Sequence, residues 1–231
     1  MFYFSMVLIS SAISYLISTK RRLRFGFTKK QSAILILAWF ICGLLGAKLL
    51  YCIENPKEPL TFAGLSFFGT VLFIPFGLFV AAKSMKLNYG KVLDFAGIYV
   101  PLVLAFTRIG CFRAGCCGAV PILLQSGKTV TPPIQLIESA LDLITFLALL
   151  GWDRGGMVRF YGEQYPKFVI MYSFIRMIME HYRDTPKFLF GMSEGQWFCV
   201  SCFAASIIIL TLITKSGLKK QAKEGKTPKK K

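Results

Sequence analysis

The sequence predicts an all-α integral membrane protein of about seven transmembrane helices, with the amino terminus outside and the carboxyl terminus in the cytoplasm. Three observations carry that expectation. Hydrophobic residues fill 55% of 231 positions and phenylalanine alone occurs 22 times, against roughly 45–50% apolar content in soluble domains. Seven apolar segments stand at residues 2–18, 32–53, 62–82, 94–112, 134–152, 168–182 and 196–214, most of them close to the ~20 residues a bilayer requires. The basic residues between them alternate, with 20 on one set of loops and 5 on the other, and the richer set belongs in the cytoplasm.

Each segment has its own justification. The first is followed by Lys20, Arg21, Arg22 and Arg24, instead of being preceded by a basic cluster, and has no small-x-small cleavage site before them. It reads as a retained helix and not as a signal peptide. The second carries Lys48 toward its outer end, where a long aliphatic stem lets the amine reach the interface. The third runs to a cytoplasmic turn with Lys83, Lys86 and Lys91. The fourth contains Arg108, an ionised group that costs roughly 2.5–3.5 kcal/mol inside a membrane helix and so needs a purpose. A helix continued through Gly115 would put Arg108, Cys111 or Phe112, and Gly115 on one face.

Residues 113–133 make the one long loop, external and expected to be irregular, with Thr131-Pro132-Pro133 as a stiff lead into the fifth segment. That segment bears Glu138 and Asp142 at i, i+4. The sixth, the shortest, carries Arg176, Glu180 and Arg183 at helical spacing with His181 beside them. An Arg176–Glu180 pair neutralises itself at that spacing, and Asp142 suits a helix interface as well as a site. The seventh opens with Cys199-x-x-Cys202 and leads into a tail with eight lysines, Lys215 to Lys231.

Residues 1–214 thus form one polytopic domain and residues 215–231 a solvated cytoplasmic tail attracted to anionic lipid. The net charge of +17 does not point to nucleic acid, because the basic residues fall in short runs between apolar segments and not in one patch. No internal repeat supports an inverted-repeat transporter. Of seven cysteines, Cys52, Cys111, Cys116, Cys117, Cys199 and Cys202 fall near the outer boundary and Cys42 lies deep. They read as small buried hydrophobes, or as disulfide or thiol-redox partners on an oxidising side. Zinc is weaker, since Cys199-x-x-Cys202 has ligand spacing but no second pair.

Arg108, Arg176 and Glu138 all lie within apolar helices, so a shared polar cavity would satisfy them together. Two arginines in it favour an anionic ligand, and in a membrane that is a phospholipid headgroup.

Four stretches, in order along the chain, resemble the prolipoprotein diacylglyceryl transferase family. Gly64-Leu65-Ser66-Phe67-Phe68-Gly69 looks like its G-L-S-F-H-G, and Arg108-Ile109-Gly110-Cys111-Phe112 like its R-I-G-N-F. Pro133-Ile134-Gln135-Leu136-Ile137-Glu138 resembles H-P-S-Q-L-Y-E, and Tyr172-Ser173-Phe174-Ile175-Arg176 with Glu180 and Arg183 resembles Y-x-x-x-R-x-x-x-E-x-x-R. Ser193-Glu194-Gly195-Gln196 resembles the L-S-x-x-Q that opens the last helix. The chain departs from the family at Phe68 for histidine, at Cys111 for asparagine, and at Gly115-Cys116-Cys117 for an acidic residue.

The resemblance implies a multi-pass enzyme of the bacterial cytoplasmic (inner) membrane. It would move diacylglycerol from phosphatidylglycerol to the lipobox cysteine of a prolipoprotein, its partners being that phospholipid and the prolipoprotein signal peptide, with no cofactor and no metal. Arg108 and Arg176 would grip phosphate, Glu180 would orient Arg176, and His181, the one histidine, is the candidate base. Gly69, Gly110, Cys111, Gln135, Glu138, Tyr172 and Arg183 would line the substrate. The alternative is a divergent paralogue without transfer activity, in which the cluster Cys111, Cys116 and Cys117 serves thiol-redox, lipid or metal binding.

Overall fold

The computed structural model describes residues 2–56, 66–123, 128–183 and 185–223, and they are mostly helical. Gly64 and Leu65 of the first resemblance motif lie outside them. The chain divides into two compact units, one of residues 11–96 and one of residues 1–10 with 97–231.

Helix α1 (Phe2–Phe25), which belongs to the first unit from residue 11 onward, continues a full basic turn past the apolar segment. There Arg21 is buried, donating from its two terminal nitrogens to the backbone oxygens of Phe95 and Asp94 at 2.6 and 2.8 Å. A loop lysine or arginine was expected at that point, and the structure makes this one a clamp. Helix α2 (Lys29–Glu54) starts on a capping box, Thr28 accepting from the Gln31 amide and Gln31 returning the bond to Thr28. It packs closely along α3 (Phe67–Ser84). A Cβ on Gly69 would land on the Gly46 carbonyl and one on Gly77 on the Cys42 sulfur, so this seam works only with bare backbone.

The expected fourth segment is two helices, α4 (Tyr89–Gly97) and α5 (Tyr99–Ala114), broken at Ile98. Pro101 is the cause: it has no amide proton and its ring crowds the carbonyl four residues back, at Gly97.

The second unit holds α5, α6 (Ile134–Arg154), α7 (Gln164–Glu180) and α8 (Glu194–Lys223), each packed on the next. Polar side chains mark the seams. Ser139 donates to the Ala105 carbonyl at 2.7 Å, Gln164 to that of Leu149 at 3.1 Å, and Gln196 to that of Met177 at 3.5 Å.

Two short hairpins interrupt the all-α expectation, β1 (Ile122–Leu123) with β2 (Thr129–Val130) inside the long loop and β3 (Lys187–Leu189) with β4 (Met192–Ser193) before α8. Helix α8 also runs on through Lys215, Lys219 and Lys220 to Lys223. A Cβ on Gly217 would strike the Phe160 ring, which shows how closely that extension packs on the loop before α7.

Four helical spans are long and apolar enough to cross a membrane by length and composition: Lys29–Glu54, Tyr89–Ala114, Ile134–Arg154 and Glu194–Lys223. Helix α3 is a shorter apolar helix, and α7 has only 17 residues with Arg176 and Glu180 among them.

Candidate active site

The expected gathering of intramembrane charges is present, and Glu138 is its centre. Helix α6 carries Glu138 on its buried face, 2% exposed. Its two carboxylate oxygens meet three guanidinium groups from two other helices' length of chain: Arg108 Nε of α5 at 2.8 Å, Arg176 Nη1 of α7 at 3.0 Å, and Arg183 Nη2 just past α7 at 2.8 Å. Glu180, one turn after Arg176, takes the other end of that fork at 2.9 Å and lies 3.9 Å from Arg183 Nε. Buried charges of this kind are tolerable only when opposite charges offset one another, and removing Glu138 would leave three arginines short of their shared counter-charge.

The three arginines are not equivalent. Arg176 has both terminal nitrogens committed, one to Glu138 and one to Glu180. Arg108 touches Glu138 through Nε alone, and its two terminal amino groups have no protein partner among the described residues. The forked end of Arg108 is therefore the available donor pair of the cluster, and a guanidinium fork matches two oxygens of one phosphate.

Second contacts hold this frame. Ser193 donates to Glu180 Oε1 at 3.3 Å. Ser193 also caps α8, its hydroxyl accepting from the Gln196 amide at 3.2 Å while Gln196 Oε1 accepts from the Ser193 amide at 2.9 Å. The Ser-x-x-Gln motif is thus a capping box whose serine doubles as a partner of Glu180. A Cβ on Gly195 would sit 3.2 Å from Glu180 Oε1, so the position between them is kept small.

Sequence reasoning missed Ser193 as a member of the site; the signal was the capping pattern itself. Asp142, one turn beyond Glu138, is 1% exposed, and neither carboxylate oxygen has a hydrogen-bond partner among the described residues. Tyr172 is buried one turn before Arg176, against the Phe168 ring at 5.9 Å. Gly110 is buried on the same helix as Arg108.

Other expected residues fall elsewhere. His181 ends α7 exposed, next to the Tyr182 ring, and is not among the groups around Glu138. Neighbours in sequence point to different faces of a helix, which is why Glu180 turns in while His181 does not. Gly69 belongs to the α2–α3 seam described above. Gln135 turns from the arginines to the loop, donating to the Cys116 carbonyl at 2.9 Å.

Helix α5 does not continue through Gly115. It stops at Ala114, with Gly115 left-handed at φ 69° and the Gly115 and Cys116 amides bonded back to Phe112 and Cys111, each at 3.2 Å. Of the proposed face, Cys111 is buried beside Arg108 and Phe112 is exposed. The turn folds Cys116 and Cys117 back onto Cys111, and all seven cysteines are free thiols. Cys117 is held below the usual thiol range, first by the bond it accepts from the Cys111 thiol and then by the positive charges of Arg108 and Arg183, while burial pushes Cys116 up.

Apolar helices around a buried cluster of three arginines and two glutamates, with one guanidinium fork open, define the class as a membrane protein. The chain belongs to the prolipoprotein diacylglyceryl transferase family, whose sequence model matches residues 1–212. Similar proteins include phosphatidylglycerol–prolipoprotein diacylglyceryl transferases of three bacteria. That of Clostridium tetani is 28% identical over 205 residues, 80% of this chain and 81% of the relative. That of Bordetella parapertussis is 29% identical over 224 residues, covering 86% and 85%. That of Nitrosomonas europaea is 30% identical over 193 residues, covering 76% and 69%.

Proposed function

We infer that this chain transfers diacylglycerol from phosphatidylglycerol to the cysteine thiol of a prolipoprotein, in a bacterial cytoplasmic membrane. The observation that carries the reading is the open fork of Arg108 beside Glu138, in a chain whose relatives bear the name of that reaction. The reaction displaces glycerol phosphate from the diacylglycerol carbon as the thiolate sulfur attacks it, and negative charge grows on the departing phosphate. Fixed donors in a water-poor site stabilise that charge without having to reorganise. Arg108 supplies them. Arg176 and Arg183, locked by Glu138 and Glu180, set the field and hold Arg108's partner still. Tyr172, Gly110 and Cys111 line the approach. The thiol proton is not assigned to His181, which stands exposed at the end of α7.

Seven crossings, with the amino terminus outside and the lysine-rich end in the cytoplasm, fit the 20-to-5 alternation of basic residues, with α4 and α5 together as one crossing. The signal peptide of the acceptor then approaches from the lipid, and its cysteine from the outer side.

The test is release of labelled glycerol phosphate from headgroup-labelled phosphatidylglycerol, by purified protein in liposomes with a lipobox peptide. Release that requires the peptide, and that falls about 10²-fold or more in Arg108→Ala, is the expected result. Folded protein that releases none overturns the reading.

A further inference from the structure

The cysteines after α5 make a site of their own. The glycine-ended turn at Gly115 brings Cys116 over Cys111, its amide 3.2 Å and its sulfur 3.7 Å from the Cys111 carbonyl oxygen. Cys117 follows with φ 59°, a left-handed conformation that costs an ordinary residue about 1–2 kcal/mol and that the surroundings must hold. They do so from two sides, Gln135 donating to the Cys116 carbonyl at 2.9 Å and the Val120 amide to the Tyr182 carbonyl at 3.0 Å. The outcome is three sulfurs from a seven-residue stretch, all within 4.8 Å of one another, Cys111 buried and Cys116 and Cys117 exposed.

A disulfide uses two of these sulfurs and leaves the third idle. Three converging thiolates are instead the ligand set of a soft metal ion. Zinc holds sulfur at about 2.3 Å, which puts tetrahedral sulfur neighbours about 3.8 Å apart, so the cluster closes on an ion by moving each pair about 1 Å or less. Charge agrees as well: one Zn²⁺ with three thiolates carries a single negative charge, and the positive charges of Arg108 and Arg183 act on this cluster. With only three protein ligands and the Cys116–Cys117 side open, one coordination position faces outward, the arrangement of reactive and not of structural zinc.

We propose that Cys111, Cys116 and Cys117 bind one zinc ion, and that its open position takes the thiol of the acceptor cysteine. This second half rests on the transferase reading. The thiol gives its proton to solvent on binding zinc. The metal-bound sulfur then uses a lone pair to form the new C–S bond as the C–O bond to phosphate breaks, and that bonding pair leaves with glycerol phosphate. Nothing is oxidised or reduced, and the thioether product, a poorer ligand than a thiolate, departs.

The full chain, purified in detergent under reducing conditions and stripped with a chelator, is titrated with Co²⁺ and then Zn²⁺. Expected is an intense sulfur-to-cobalt charge-transfer absorption that saturates at one equivalent and is removed by Zn²⁺. It is lost in Cys111→Ser and in the double variant Cys116→Ser with Cys117→Ser, and kept in Cys199→Ser with Cys202→Ser. A lipobox peptide, but not its cysteine-to-alanine version, shifts the visible cobalt bands. Absence of the charge-transfer band from wild-type protein with a cooperative thermal unfolding transition overturns the site, and bands indifferent to the peptide overturn its role. Glycerol phosphate release is followed on the same samples. Transfer by metal-free protein sinks the zinc proposal and leaves the transferase standing, whereas a peptide-responsive zinc site with no transfer does the reverse.

Discussion

Glu138 carries more of the site than any other single residue, because three guanidinium groups share its two oxygens. Glu138→Ala leaves Arg108, Arg176 and Arg183 short of a buried counter-charge, and a broken buried pair costs about 3–5 kcal/mol. Thermal unfolding in detergent should therefore fall sharply in that variant, well below Arg108→Ala, which leaves no carboxylate unpartnered because Glu138 keeps Arg176 and Arg183. Arg108→Lys tests the fork itself. It keeps the charge but replaces two parallel donors with one point charge, so transfer should lie between wild type and Arg108→Ala while unfolding stays near wild type. Stability of Glu138→Ala equal to that of Arg108→Ala would contradict the hub.

At the scale of elements, two seams make distinct predictions. The Ser193–Gln196 capping box opens α8 and also anchors Glu180, so Ser193→Ala loses both a cap, about 1 kcal/mol, and a carboxylate partner. Ser193→Thr should restore most of the stability and the transfer rate, which a purely apolar packing role would not explain. On the α2–α3 seam, Gly69→Ala pushes a methyl into the Gly46 carbonyl, and overpacking of this kind costs about 1–3 kcal/mol. A drop in unfolding temperature with unchanged affinity for phosphatidylglycerol would mark Gly69 as a packing residue; a change in affinity alone would return it to the substrate.

These elements also show what the residues disclosed in advance. The apolar segments and the i, i+4 pair Arg176–Glu180 were readable because each is local, whereas Ser193-Glu194-Gly195-Gln196 stood out only as a resemblance motif and not as a cap. The meeting of Arg108, Arg176 and Glu138 was readable only as a need, since spacing along one helix does not say which helix lies opposite, and the bond of Arg183 to Glu138 was not foreseen. The break at Ile98 was hidden because hydropathy runs straight through it while the cause, Pro101, sits three residues on. The cluster Cys111, Cys116 and Cys117 was legible as residues, but the convergence of its three sulfurs was hidden because helical spacing was extended past Gly115, where the chain in fact reverses.

Across the whole molecule, orientation governs which groups meet which compartment. A membrane-impermeant maleimide applied to intact cells should label a variant whose one cysteine is Cys116, and should label Lys223→Cys in a cysteine-free background only after the membrane is opened. The opposite pattern would invert the topology. Helix α8 bears on the same question differently. Its 30 residues make a rod of about 45 Å, against hydrocarbon about 30 Å deep. The surplus is not slack, because the lysines at its end ride on continuous helix and on the packed Gly217–Phe160 step. Crossing a bilayer, such a helix would act as a ruler fixed at one end by the Ser193 cap: in a thinner or thicker layer its charged tip would have to rise or sink, and the strain would be borne at the Ser193–Glu180 contact.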